Sequence, residues 1–244
     1  MSARTAIVTG GARGIPRGIA LDLASQGWSV AICYRKSVED ADRTAQTLRA
    51  GGAKALAVQA DVSDPEACRD LVNRVRTDLG PATALVNGAG PYHRIDILQE
   101  SPEGWREMFD NNLHPVFYLS QLVAGDMKAA GWGRIVTFAM ANADRAGAQP
   151  MVTAHYIAKA GLLILTRTLA RKLAPHGITV NAISPGFIDS GSADADELES
   201  MLPKIPAGRL GTVDDAVGLV RFLFSDEAAY VNGTNLHLSG GWGL

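Results

Sequence analysis

Short apolar, β-branched runs alternate with stretches of helical periodicity along the whole chain. Ala6–Val8 predicts a strand, followed by a glycine turn and a helix from about Pro16 to Gln26. Strands are then predicted at Ser29–Tyr34, Ala55–Gln59, Ala84–Val86, Arg134–Phe138, Thr179–Ile183 and Asn235–Leu238. Helices are predicted at about Glu39–Ala50, Pro65–Leu79, Trp105–Ala130, Val152–Leu173 and Val213–Phe224. The strands carry apolar residues at consecutive positions, as parallel strands covered by helices on both faces do. Strict alternation of this kind predicts an α/β, doubly wound parallel sheet, a Rossmann-type fold. No linker divides it, so residues 1–244 read as a single domain. The acidic, small-residue-rich stretch Asp189–Pro206 interrupts the alternation. It reads as a mobile substrate loop (about 187–208) with a short helix over the sheet's carboxyl edge, where open α/β sheets bind ligands.

Composition narrows the function. With 47% hydrophobic residues in 244, the chain can bury a sizeable core. A net charge of −2 argues against nucleic acid and anionic membrane as partners. No apolar run is long enough to span a bilayer, and no signal-peptide pattern opens the chain. The two cysteines, Cys33 and Cys68, lack metal or redox spacing and are expected to be reduced, in a cytoplasmic protein.

The turn after the first strand reads Thr9-Gly10-Gly11-Ala12-Arg13-Gly14-Ile15-Pro16. Glycines let backbone approach a pyrophosphate whose charge sits on the following helix N-terminus. The position between strand and helix is the context that gives such a loop meaning. Further along stand Asp61-Val62, Asn87-Gly88-Ala89-Gly90, Asn112-Leu113, Pro185-Gly186 and an ending of Gly208-Arg209-Leu210-Gly211 through Gly240-Gly241-Trp242-Gly243. In these motifs and their order the chain resembles the short-chain dehydrogenase/reductase superfamily, near its 3-oxoacyl-carrier-protein reductase branch. The resemblance covers nearly the whole chain. It implies a dinucleotide held by Gly10, Arg13, Gly14, Ile15, Asp61, Val62, Asn87, Gly88, Ala89, Lys159, Pro185, Gly186 and Ile188. One departure stands in the loop itself, where Pro16 replaces the last glycine. A first-turn proline is compatible with a helix, but its ring fills space that glycine leaves open.

Tyr34-Arg35-Lys36 ends the second strand, where an acidic residue would favour NAD and repel a 2′-phosphate. Arg35 and Lys36, with Arg13 from the glycine loop, instead suit the phosphate of NADP(H).

The family's carbonyl chemistry uses a tyrosine and, four residues on, a lysine, with a serine past the fifth strand and an asparagine relay. Lys159 and Asn112 match. At the tyrosine position stands His155, on the same helix face as Lys159. Tyr156 lies next to it, about 100° round the helix. Met140 occupies the serine position, and no serine occurs between Ser120 and Ser184. Three readings remain open: His155 acts as acid/base, Tyr156 swings into the site, or carbonyl reduction is lost and the fold binds NADP(H) for non-redox or regulatory ends. Lys159 is expected to push His155 towards its neutral form.

The segment Ala141–Thr153 is about two residues longer than the family usual, and loops at this edge line pockets. Asn142 or Asp144 is a candidate to replace the serine's hydrogen bond. With Tyr92, His93 and Met140 these residues form the expected substrate pocket, polar enough to favour a small polar substrate. His93, His114 and His155 lack metal-ligand spacing, so no metal is expected. Pro115 reads either as a kink in the helix carrying Asn112 or as a packing accommodation there. The consecutive Leu162–Leu165 and the family's habits imply a homotetramer or homodimer.

Overall fold

A computed structural model describes residues 4–88, 90–191 and 195–243, and only the backbone of residues 195–197. Ala89 and Asp194 lie outside the described residues.

Seven parallel strands form one sheet in the order β3-β2-β1-β4-β5-β6-β9. They are β1 (Thr5–Thr9), β2 (Ser29–Tyr34), β3 (Ala55–Gln59), β4 (Ala84–Asn87), β5 (Gly133–Phe138), β6 (Ile178–Pro185) and β9 (Asn235–Leu238). Two short strands, β7 (Ile188–Asp189) and β8 (Gly211–Thr212), pair in parallel apart from it. Alternate strand residues serve opposite cores. Ala6 and Val8 pack with Ile19 and Leu23 of α1 (Gly14–Ser25), Leu48 of α2 (Val38–Ala50) and Val220 of α8 (Val213–Phe224). Ile7, between them, faces Leu71 and Val75 of α3 (Pro65–Asp78). Both faces are therefore covered, which is why the strands read as continuous apolar runs rather than alternating ones.

The expected single helix Trp105–Ala130 is instead two: α4 (Pro102–Asn112) and α5 (His114–Ala130), meeting at Leu113. Pro115 lies in the first turn of α5, where its missing N–H costs nothing, so the chain restarts rather than kinks. At the other end Ser101 Oγ accepts from Gly104 N (2.9 Å) and starts α4 earlier than the apolar pattern suggests. The helix α6 (Thr153–Leu173) follows β5 after a long loop, and α7 (Ala195–Met201) provides the short helix expected in the acidic segment.

Strand order reverses between β1, whose chain continues towards β2 and β3, and β4, which leads away to β5 and β6. A crevice opens at their carboxyl ends, the usual ligand position in such sheets.

Candidate functional site

The crevice is a cleft of about 630 Å³. At one end the glycine loop turns through Gly10 (φ 70°) and Gly14 (φ 58°), conformations that glycine adopts without penalty. The N-cap of α1, Arg13, gives no side-chain capping bond, so the helix's first N–H groups are left to a ligand. The Pro16 ring packs against Gly88, where a Cβ would come within 2.6 Å of Pro16 Cγ and 2.9 Å of the Thr9 carbonyl. Pro16 thus fills the space between the glycine loop and the turn after β4, and lines the cleft itself.

Beside this loop Arg13, Arg35, Lys36 and Ser37 border the cleft. Arg13 Nη2 donates to Ser37 Oγ (2.7 Å), and Arg35 Nη1 donates to Asn111 Oδ1 (3.1 Å) and lies 3.7 Å from Asp61. Burial works to raise the Asp61 pKa, but hydrogen bonds from Ser63 and the Arg35 charge carry it below the ordinary carboxylate value. Asp61 is therefore an anionic acceptor at one wall, with three cations nearby. Backbone N–H groups at a helix start, a left-handed glycine turn and this cationic rim fit a dinucleotide carrying a 2′-phosphate.

Of the expected cofactor residues, Gly10, Arg13, Gly14, Ile15, Arg35, Lys36, Asp61, Val62, Gly88, Lys159 and Pro185 line the cleft. Asn87, Gly186 and Ile188 do not line it. Asn87 Nδ2 donates to Thr137 Oγ1 (3.3 Å), Gly186 abuts Ser239, and Ile188 lies against Gly211.

At the other end α6 supplies His155 and Lys159, and the turn after β4 supplies Tyr92. Lys159 Nζ donates to the Phe138 carbonyl (2.8 Å), and burial lowers its pKa to about 8. His155 is also buried, with its ring 5.8 Å from that of Tyr92. Burial first, then the Lys159 charge and His93, lower its pKa to about 3 against the upward pull of a hydrogen bond to the Pro91 backbone. Its Nδ1 has no partner among the described residues. The imidazole is therefore neutral at physiological pH, burial adding to the effect of its lysine neighbour.

Asn112 sits behind this end rather than in it. Its Nδ2 donates to the carbonyls of Pro91 and Met108 (both 3.0 Å), while Oδ1 is buried without a partner among the described residues. A Cβ on Gly90 would fall 2.4 Å from that Oδ1 and 3.3 Å from Lys159 Nζ, so both groups converge on the bare Gly90 backbone.

Several expected substrate and catalytic residues face elsewhere. The Tyr156 hydroxyl is not a swung-in donor: it donates to the Asn142 carbonyl and accepts from Gly147 N (3.2 Å). Asn142 adopts φ 66° and packs on Gly243, and Asp144 accepts from His237 (3.0 Å), so neither substitutes for the serine. Met140 packs with Ala139, Ala143, Leu163 and Ala182 in a small apolar cluster. His93 is tied to Glu100 (2.7 Å), leaving Tyr92 as the one expected substrate-pocket residue that lines the cleft. Through Asn142 and Asp144 the loop after β5 reaches the C-terminal tail and β9. No group of three or more His, Cys, Asp or Glu suited to a metal occurs among the described residues.

Sequence reasoning missed Ser37, Asn111 and the Phe138 carbonyl. Asn111 adjoins the chosen Asn112 and was legible only as one of a pair. A backbone carbonyl carries no residue-type signal at all.

Comparisons with known proteins agree with this architecture. A family model described as enoyl-(acyl carrier protein) reductase matches residues 10–243. The chain is 37% identical over 241 residues to the 3-oxoacyl-(acyl-carrier-protein) reductase FabG of Staphylococcus aureus, covering 98% of this chain and 97% of that one. It is 36% identical to the same-named protein of Escherichia coli, covering 98% and 96%. Among solved structures, a blue fluorescent protein from a metagenomic library, in complex with NADPH, superposes with a TM-score of 0.92 at 33% identity over 99% and 98% of the two chains. A putative short-chain alcohol dehydrogenase from Sinorhizobium meliloti gives 0.91 at 34% identity, over 99% and 97%. By sheet, by phosphate loop and by full-length similarity, the chain belongs to the short-chain dehydrogenase/reductase superfamily, on its 3-oxoacyl-acyl-carrier-protein-reductase-like branch.

Proposed function

We propose that this chain is an NADPH-dependent oxidoreductase of the C=O/CH–OH couple that reduces the carbonyl, or the imine, of a small polar substrate, with His155 standing where the family has tyrosine. The observation that carries the reading is that His155 and Lys159, one helical turn apart, line the same cleft as Arg13, Arg35 and Lys36. NADPH supplies hydride when bound. Arg13, Arg35, Lys36 and Ser37 hold its 2′-phosphate, and the N-terminus of α1 its pyrophosphate. The neutral His155 ring has one N–H, drawn to the Pro91 backbone in the free protein; given to the substrate oxygen instead, it fills the role a neutral imidazole can where negative charge develops.

Assembly into a homodimer or homotetramer belongs to the same reading, because Phe117 on α5 and Ile157 and Ile164 on α6 are exposed. So does a cytoplasmic setting, with Cys33 and Cys68 free and buried. No helix among the described residues is long and apolar enough to cross a membrane.

The second reading, an NADP(H)-binding protein without reductase activity, is favoured by Met140 and Tyr156 both facing away from the cleft. One experiment separates the two. NADPH binding is followed by tryptophan fluorescence, then turnover at 340 nm over a panel running from polar keto acids and imines to 3-oxoacyl thioesters. Turnover that falls about 100-fold or more in His155→Ala, with NADPH affinity kept, supports the reductase. Binding without turnover defeats it.

A further inference from the structure

The family's proton donor is absent at its position, and the cleft offers few replacements. Serine is replaced by Met140, which is packed in an apolar cluster, and the neighbouring phenol of Tyr156 is held by the Asn142–Gly147 loop. His155 faces the cleft, but a buried ring beside an ammonium does not store a proton to give. One N–H acid remains at this end of α6. Lys159 lines the cleft, with its buried Nζ anchored at 2.8 Å on the Phe138 carbonyl and converging with Asn112 Oδ1 on Gly90.

We propose that Lys159 Nζ is the proton donor of the reaction, His155 serving to hold the substrate oxygen by a hydrogen bond; this rests on the reductase reading above. In the reaction the hydride that NADPH supplies forms the new C–H bond, and the C=O π pair becomes a lone pair on oxygen. The Nζ–H bond breaks, its proton forms the O–H bond, and Nζ is left as a neutral amine that water in the open cleft reprotonates. Burial supports the role, since it brings the ammonium to about pKa 8, where a general acid is both populated and willing to part with its proton. The titratable side chains around this end are His155 on the same helix, and Tyr92 and His93 from the turn after β4. Burial lowers the Lys159 pKa, unopposed by any carboxylate among the described residues. In this chain the lysine thus takes over the proton that its relatives' tyrosine position would give.

The chain has six lysines, so the ε-methylene carbons can be followed individually by NMR with 13C-lysine. The expected result is one resonance titrating near pH 8, missing in Lys159→Arg, with kcat falling about tenfold per unit above the same pH. Lys159→Arg, which keeps the cation but holds its proton at all accessible pH, should bind NADPH and lose about 100-fold or more in kcat. Turnover with no inflection near pH 8, a Lys159 resonance titrating with the surface lysines, or loss of turnover in Tyr92→Phe would overturn the donor assignment alone. Absence of turnover with every panel compound, the lysine still titrating near pH 8, overturns the reductase reading and the donor with it.

Discussion

The Tyr156 hydroxyl donates to the carbonyl of Asn142, a residue held at φ 66°, and accepts from Gly147 N on the same loop. That pairing is how a tyrosine three residues before Lys159 comes to face the loop after β5 rather than the cleft. Helix periodicity turns it about 100° from His155, and the longer loop after β5 gives its hydroxyl two backbone partners. The hydroxyl thereby ties that loop to α6.

Tyr156→Phe should therefore act on stability and leave chemistry alone. Removing a buried hydroxyl leaves the Asn142 carbonyl and Gly147 N–H without it, at a cost of about 1–3 kcal/mol. Urea denaturation measures the loss, and the pH profile of kcat should keep its shape. A displaced profile would put the phenol back in the reaction.

Removing either cation at the end of β2 should weaken NADPH far more than NADH. Arg35→Ala also frees Asn111 and Asp61 from their partner. An Arg–phosphate interaction is charge-assisted and worth about 1.5–3 kcal/mol, roughly 10- to 100-fold in Kd. Fluorescence titration with both cofactors checks this, and equal weakening of the two would refute a 2′-phosphate site.

Gly88→Ala should disturb the cofactor end through Pro16. The new Cβ would meet Pro16 Cγ at 2.6 Å and the Thr9 carbonyl at 2.9 Å. The ring half of this clash disappears in the double variant Pro16→Gly with Gly88→Ala, so the two changes should be non-additive in melting temperature and NADPH Kd. Strict additivity would show that the ring and the turn are not in contact.

Acid should weaken the fold through His155. Its folded pKa is lowered to about 3 from the ordinary 6.5, so the unfolded chain binds a proton the folded chain refuses. The stabilisation is complete above pH 6.5 and is lost as pH falls from 6.5 towards 3, by up to about 1.4 kcal/mol per unit. In His155→Leu this part of the slope should vanish. A slope unchanged in the variant would show that the ring is solvated.

What the sequence determined by itself is the order of elements, the strands apolar on both faces, and the addresses of the phosphate loop, the cationic rim and the His155–Lys159 pair. These follow from short-range rules: the two-residue strand period, the 3.6-residue helix period, and glycine's freedom at Gly10 and Gly14. Tertiary structure decided where α4 stops and α5 begins, because Pro115 suits a first helical turn as well as a kink and only packing chooses between them. It also decided which side chains share the cleft. Asn142, Asp144 and Tyr156 have the right chemistry at the right distance in sequence, yet their partners, Gly243, His237 and Gly147, come from long-range or loop geometry that no local pattern encodes. Proton affinities at the reacting end belong there too. Burial sets both the neutral His155 and the softened Lys159, and burial is a property of the assembled sheet and helices rather than of the residues in line.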